Sequence, residues 1–263
     1  MSDRVVVTVN EHVAEVMLNR PDKFNALDLD MFHALDAALR KLKDAPGVRA
    51  VVLHGSGENF CAGIDLDVFR HGSEEAMRTL LSPVGDTQST LAQWVAYGWR
   101  KLPMPVICAL RGIAYGGGFQ IAMGADLRYA TPDVKMSIME AKWGLIPDMA
   151  ISATLRHLVP PDRVKELAFS ADVFGAEEGL RLGTITRVEE DALGAARRMA
   201  AAIAARSPDA VRGVKRLVNE AWNASEADGL QLEAQIQVEL LRSPNQAEAV
   251  RAGLENRTAK FVD

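Results

Sequence analysis

Val5 to Val9 and Val13 to Leu18 are alternating, β-branched-rich runs separated by Asn10-Glu11-His12, a spacing that predicts a hairpin. The next segment, ALDLDMFHALDAALRKLKDAPG, changes period. Phe32, Leu35, Leu39 and Leu42 fall on one helical face, Asp28 stands in the N-cap position, and Pro46-Gly47 ends the pattern. VRAVVLHGSGENFCAGIDL then reads as a buried strand, a glycine-rich turn and a helix starting near Ile64. Residues 70–85 have weak periodicity and predict a loop, Asp86 to Lys101 predict a helix, and MPVICAL predicts a second buried strand. That strand runs into RGIAYGGGFQIAMGADL, where three consecutive glycines precede a short apolar helix. Strand, glycine turn and helix thus occur twice, which predicts an α/β core. From Asp191 onward the pattern is almost wholly helical. The chain therefore divides into an α/β region over 1–206 and a helical C-terminal region over 207–263, with the boundary near Ser207.

A length of 263 residues suits one large α/β domain or two small ones. The net charge of -5 argues against general affinity for nucleic acid or an anionic membrane, while leaving room for a local basic pocket. Two cysteines, Cys61 and Cys108, make no disulfide framework. The first residues, MSDRVVVTVNEHVAEVML, lack the apolar core of a signal peptide, and no stretch nears the roughly 20 apolar residues of a membrane span. The expected setting is cytoplasmic, with neither nucleic-acid nor membrane partners.

The glycines narrow the chemistry. Neither Gly55 nor Gly116 starts a G-x-G-x-x-G fingerprint, and there is no G-x-x-x-x-G-K-[ST] loop. H-E-x-x-H is absent, and His12, His33, His54, His71 and His157 show no metal spacing, so no metal is expected. A glycine turn leading into a helix does present free backbone N–H groups and the positive end of the helix dipole. Two such turns side by side would aim two donors, the amides of Ile64 and Gly117, at one oxygen. On spacing alone the alternative stands beside it: two tight turns packed against a sheet.

NRPDKFNAL (19–27), FCAGIDL (60–66), RGIAYGGGFQIAMGADLRYAT (111–131) and MEAKWGLIPDM (139–149) come in an order and spacing that resembles the crotonase superfamily, the enoyl-CoA hydratase/isomerase group. The likeness continues through AFSADVFGAEEGLRLGTITRV and covers nearly the whole chain. The resemblance implies an α/β fold built as a spiral of ββα turns with a C-terminal helical trimerisation region. It also implies homotrimers, often paired into homohexamers, and acyl-CoA thioester substrates. Coenzyme A then enters as part of the substrate and no other cofactor is expected. The family's oxyanion-hole amides fall on Ile64 and Gly117. The thioester and its coenzyme A would lie against Lys23, Ala26, Ala62, Ile64, Asp65, Leu66, Gly116 and Gly117.

Removing a proton beside a thioester puts negative charge on its oxygen, and one donor meeting that charge contributes about 3 kcal/mol. The proton needs a base, and its return or the addition of water needs an acid. In hydratases of the family one acid follows the glycines; here that position is Gln120, which can orient water or hydrogen-bond but cannot titrate. The second hydratase acid aligns with Glu140. Asp148, eight residues on, stands where hydratases usually have glycine, and the same acid pair at the same spacing occurs in dienoyl-CoA isomerases. Those isomerases also carry an acid at the Gln120 position, so the chain departs from that pattern too. Asp148 also reads as an N-cap for the segment after Pro147. The expected activity is double-bond isomerisation of an unsaturated acyl-CoA through an enolate, with Glu140, Asp148 and Gln120 as catalytic candidates. The alternatives are an enoyl-CoA hydratase using Glu140 with Gln120 holding water, a weakly active CoA-thioester-binding protein, and thioester hydrolysis. Cys61 and His54 read as structural. Trp94, Trp99, Leu80 and Leu81 are candidates for an acyl pocket or for core. Arg20, Lys23, Lys101, Arg257 and Lys260 could meet the phosphates of coenzyme A or simply be solvated.

Overall fold

The computed structural model describes residues 4–71, 74–85 and 87–263; Met1 to Asp3, Gly72, Ser73, Asp86 and the side chains of Phe69 and His71 lie outside the described residues. Strands β1 (Val5–Asn10) and β2 (Val13–Leu18) form the expected antiparallel hairpin, with Val5 opposite Leu18 and Asn10 opposite Val13. In β2 the alternation is literal: Ala14, Val16 and Leu18 are buried and their neighbours are not. Helix α1 (Leu29–Lys43) starts on Asp28, whose side chain accepts from the Met31 amide at 2.9 Å, and buries the Phe32, Leu35, Leu39, Leu42 face.

The chain then repeats a strand, a crossing to a second layer and a helix. Strand β3 (Ala50–Gly55), all buried, leads through the FCAGI segment to α2 (Asp67–His71), α3 (Glu74–Leu81) and α4 (Leu91–Lys101). Strands β4 (Val106–Leu110) and β5 (Ile113–Tyr115) lead to α5 (Gly117–Met123). Next come β6 (Leu127–Ala130), β7 (Lys135–Ser137), α6 (Ile151–Thr154), α7 (Pro161–Ser170), β8 (Phe174–Gly175), α8 (Ala176–Leu182) and β9 (Arg187–Val188). One sheet runs β1-β2-β3-β4-β6-β9, parallel beyond the hairpin, and the other runs β5-β7-β8. Successive turns place one strand in each layer, which is a spiral of ββα units.

Helix α9 (Ala192–Ala204) lies on the large sheet and buries its alanine face against Ala50, Val52, Ile107 and Tyr129. Helices α10 (Pro208–Ala221), α11 (Glu226–Leu241) and α12 (Pro244–Leu254) pack mainly on one another. Lys215 of α10 reaches back into the core, donating to the carbonyls of Trp99 and Met104 and pairing with Asp126 at 2.7 Å. No helix among the described residues is long and apolar enough to cross a membrane.

Three boundaries differ from the pattern. The helix expected near Ile64 starts at Asp67, because Ile64 is held in a β-bridge to Leu27. Residues 74–81, expected as loop, form α3, an eight-residue helix in which only Leu80 is buried. The helix expected from Asp86 begins at Leu91, where Thr90 and Gln93 close a reciprocal capping box.

Candidate active site

Three segments from distant parts of the chain run side by side, extending the second layer beyond β5. The first follows the short 3-10 turn Pro21–Lys23 and carries Phe24 and Asn25, both left-handed with φ of 51° and 56°. Asn25 is fully buried and explains that geometry: its oxygen accepts from the Arg20 amide, and its nitrogen donates to the carbonyls of Ser56 and Asn59. The second segment pairs with it, as Ala62 donates to Phe24, Leu27 to Gly63 and Asp65 to Leu27, all at 2.8–3.0 Å. On the other flank Cys61 donates to Ile113 and Tyr115 donates to Cys61, both at 3.0 Å. The two glycine turns are thereby stitched together.

Close approach is what the glycines supply. A Cβ on Gly63, which has φ of 86°, would stand 2.6 Å from the Tyr115 carbonyl and 3.4 Å from the Gly117 nitrogen. Gly116 is also left-handed, with φ of 50°. Each of these two glycines is followed by an amide, Ile64 and Gly117, that donates to no group among the described residues.

Both amides open onto a hollow of about 350 Å³. All eight positions that the resemblance nominates for the thioester line it, from Lys23 and Ala26 through Ala62, Ile64, Asp65 and Leu66 to Gly116 and Gly117, and Glu140 joins them. Asp67, Arg70, Met139, Trp143 and Leu145 also line it and were not singled out as contacts in the sequence; Met139, Trp143 and Leu145 sit in the same short motif as Glu140. A larger hollow of about 990 Å³ lies between α4, α6, α10 and α11. It holds neither glycine turn nor Glu140, so the smaller hollow is the candidate site. Trp94, Trp99, Leu80 and Leu81 do not line the 350 Å³ hollow; Trp99 and Leu80 are core.

Glu140 opens a 3-10 turn, Glu140–Trp143. Its Oε1 accepts from Gln120 Nε2 at 2.6 Å, and its Oε2 is buried with no partner among the described residues. Burial raises its proton affinity above that of an ordinary glutamate; the Gln120 donor works the other way and the charge of Asp148 adds to the rise. Asp148 is exposed as a residue, yet partial burial of its carboxyl also raises its pKa. The N-cap reading of Asp148 is corrected: Ala150, left-handed at φ 66°, is the cap of α6, and no side chain bonds there. Neither Asp148 nor Gln120 lines the hollow. Gln120 lies fully buried behind it, its oxygen accepting from the Met149 amide at 2.9 Å.

The neighbouring charges are committed to structure. Burial alone would raise Asp65, but the Asp67 amide and the Arg20 guanidinium outweigh it, so its pKa lies below the usual value. Arg257 binds Glu248 and Glu255, and Lys101 lies over the Tyr97 ring; among the described residues that line the hollow, Lys23 and Arg70 are the cationic ones. The Cys61 thiol, fully buried, is pushed up to about 12 and donates to the Asn25 carbonyl, which fits a structural role. Among the described residues no three His, Cys, Asp or Glu side chains gather as a metal site.

Comparison with known proteins bears on the family and the fold. The family profile described as enoyl-CoA hydratase/isomerase matches residues 8–263. The chain is 31% identical to the mitochondrial Delta(3,5)-Delta(2,4)-dienoyl-CoA isomerase of Mus musculus over 98% of its own length and 81% of that protein's. It is 29% identical to the crotonyl-CoA hydratase of Syntrophomonas wolfei over 99% and 98% of the two chains. The crystal structure of an enoyl-CoA hydratase from Bacillus anthracis superimposes with a TM-score of 0.91 at 28% identity, covering 98% of this chain and 99% of that one.

Proposed function

The chain belongs to the enoyl-CoA hydratase/isomerase family, and we propose that within it the protein isomerises a double bond of an unsaturated acyl-CoA. The thioester oxygen sits between the Ile64 and Gly117 amides, which serve as the oxyanion hole. One carboxylate takes a proton from the acyl chain, and the electron pair moves onto the thioester oxygen as an enolate. The other carboxyl returns a proton farther along the conjugated chain, and the electron pair moves back. Nothing is added or lost, and no cofactor is needed beyond the coenzyme A of the substrate. Lys23 and Arg70, which line the hollow, would meet its phosphates.

The observation that carries this reading is the pair of carboxyls, both with raised proton affinity and with Asp148 acting on Glu140. Gln120 supports it, since it is fully buried and does not line the hollow, which leaves it poorly placed to hold a water there. Enoyl- and dienoyl-CoA panels incubated in heavy water test it by mass analysis. A shifted double bond with deuterium uptake and no added water is expected; release of free coenzyme A would point to hydrolysis, and unchanged acyl-CoA to a binding protein. The second reading is hydration by Glu140 alone, favoured by Asp148 not lining the hollow. Net gain of water would establish it.

Residues 207–263 carry the proposed oligomer contacts. Val214 is 61% exposed, Trp222 61%, Leu230 59% and Leu254 81%, more apolar surface than isolated helices keep in water. A homotrimer or homohexamer is expected by light scattering, and a stable monomer at micromolar concentration would count against it.

A further inference from the structure

Gln120 is bonded at both ends, and one end has no choice. The backbone N–H of Met149 can only donate, so the atom it faces at 2.9 Å is the amide oxygen. The other end of the same side chain is then the NH2 group, which can only donate. It faces Glu140 Oε1 at 2.6 Å, so that oxygen accepts. A carboxyl has two oxygens on which to carry a proton, and since a carbonyl oxygen accepts better than a hydroxyl oxygen, the donor on Oε1 favours the proton on Oε2.

We propose that Gln120 is a positioning residue that confines the proton of Glu140 to Oε2, relaying to the carboxyl a direction set by the Met149 backbone. The proposal deepens the reading of Glu140 as a proton carrier and rests on it. Three features of the geometry agree. Oε2 is buried and has no partner among the described residues, so its bond is left for a ligand to make. The carboxyl cannot turn over without breaking its contact with Gln120, and a Cβ on Gly116 would crowd Oε1 at 3.2 Å, so that oxygen is held against the glycine turn. Met149 follows Asp148, so the same amide that orients Glu140 also anchors the segment bearing the second carboxyl. One fully buried side chain on α5 thus sets the orientation of one acid and ties down the backbone of the other.

The proton can be read in the unliganded protein, whatever the substrate. Infrared titration follows the carboxyl C=O stretch of Glu140, identified as the band that Glu140→Gln removes. Wild type should give one narrow band, because the acid has one protonation site and its carbonyl one donor. Gln120→Met keeps length and volume but removes both hydrogen bonds. Its band should move to higher frequency, and the titration midpoint should rise by about 1 pH unit, since a donor to the ionised form is lost. Gln120→Glu keeps an acceptor for Met149 but sets a carboxyl against Oε1, and the pair should titrate in two steps. A wild-type frequency and midpoint in Gln120→Met overturn the proposal. If that variant does not fold, a single wild-type step in Gln120→Glu overturns it instead. Failure of the wild type to exchange deuterium into any acyl-CoA would sink the isomerase reading, while the infrared titration would still report on Gln120.

Discussion

Gly117→Pro should nearly abolish turnover in a protein that still folds. Gly117 is the first residue of α5, a position where the φ of proline is compatible with a helix and where the N–H has no helical partner to lose. What proline removes is the free donor that faces the hollow, and its ring puts carbon in the donor's place. Loss of one donor to a developing oxyanion costs about 10²–10³-fold in kcat. The fall should be in kcat more than in KM, because the charge appears only in the transition state. Crowding needs its own control, since any Cβ at Gly117 would come within 2.7 Å of Met149 Sδ and 2.9 Å of Leu27 Cδ1. Gly117→Ala adds that Cβ and keeps the N–H. If the alanine variant is as inactive as the proline variant, packing explains the loss and the donor does not. Near wild-type kcat in folded Gly117→Pro removes the oxyanion assignment altogether.

The two acids come next in size. Glu140→Gln and Asp148→Asn keep shape and lose the ability to hold or release a proton, and each should lower kcat by about 10²–10⁴-fold. An almost silent Asp148→Asn, measured by deuterium exchange into an acyl-CoA, would leave Glu140 to work alone and favour hydration. The pH profile carries a matching signature. Both carboxyls have proton affinities raised chiefly by burial. The rising limb, where the base loses its proton, should therefore lie above the usual carboxylate range, and each amide variant should erase one limb.

Much of this site is legible in one dimension because backbone chemistry writes itself into residue type. Gly63 and Gly116 are left-handed and tightly approached, and only glycine meets both demands easily. The eight contact positions come from short motifs whose own hydrogen bonds hold them together, so local sequence and local geometry coincide. Asp148 shows the limit. A carboxylate after proline looks like a cap, and only the left-handed Ala150 two residues later shows that the helix starts elsewhere. Gln120 shows another limit. Its neighbours, Glu140 and Met149, lie 20 and 29 residues away, and no local period reports a contact of that range. Helix α3 is lost to the eye for a simpler reason, since it is eight residues long and its apolar positions Met77, Leu80 and Leu81 span barely one turn.

Glu140 also couples the folding of the chain to the proton concentration around it. In the unfolded chain its carboxyl is hydrated and titrates as an ordinary glutamate; in the folded chain burial raises its affinity for the proton. Between those two values the folded state binds more protons than the unfolded state, so its stability falls as pH rises. The contribution is fully present below the unfolded value and is lost as pH climbs through the raised one. The ionised form that a base requires is thus the form the fold tolerates least, because Oε2 then carries charge where neither water nor protein solvates it. An acyl-CoA that brings a hydrogen-bonding group to Oε2 would give that oxygen, inside the folded protein, the solvation it otherwise finds only when the chain unfolds.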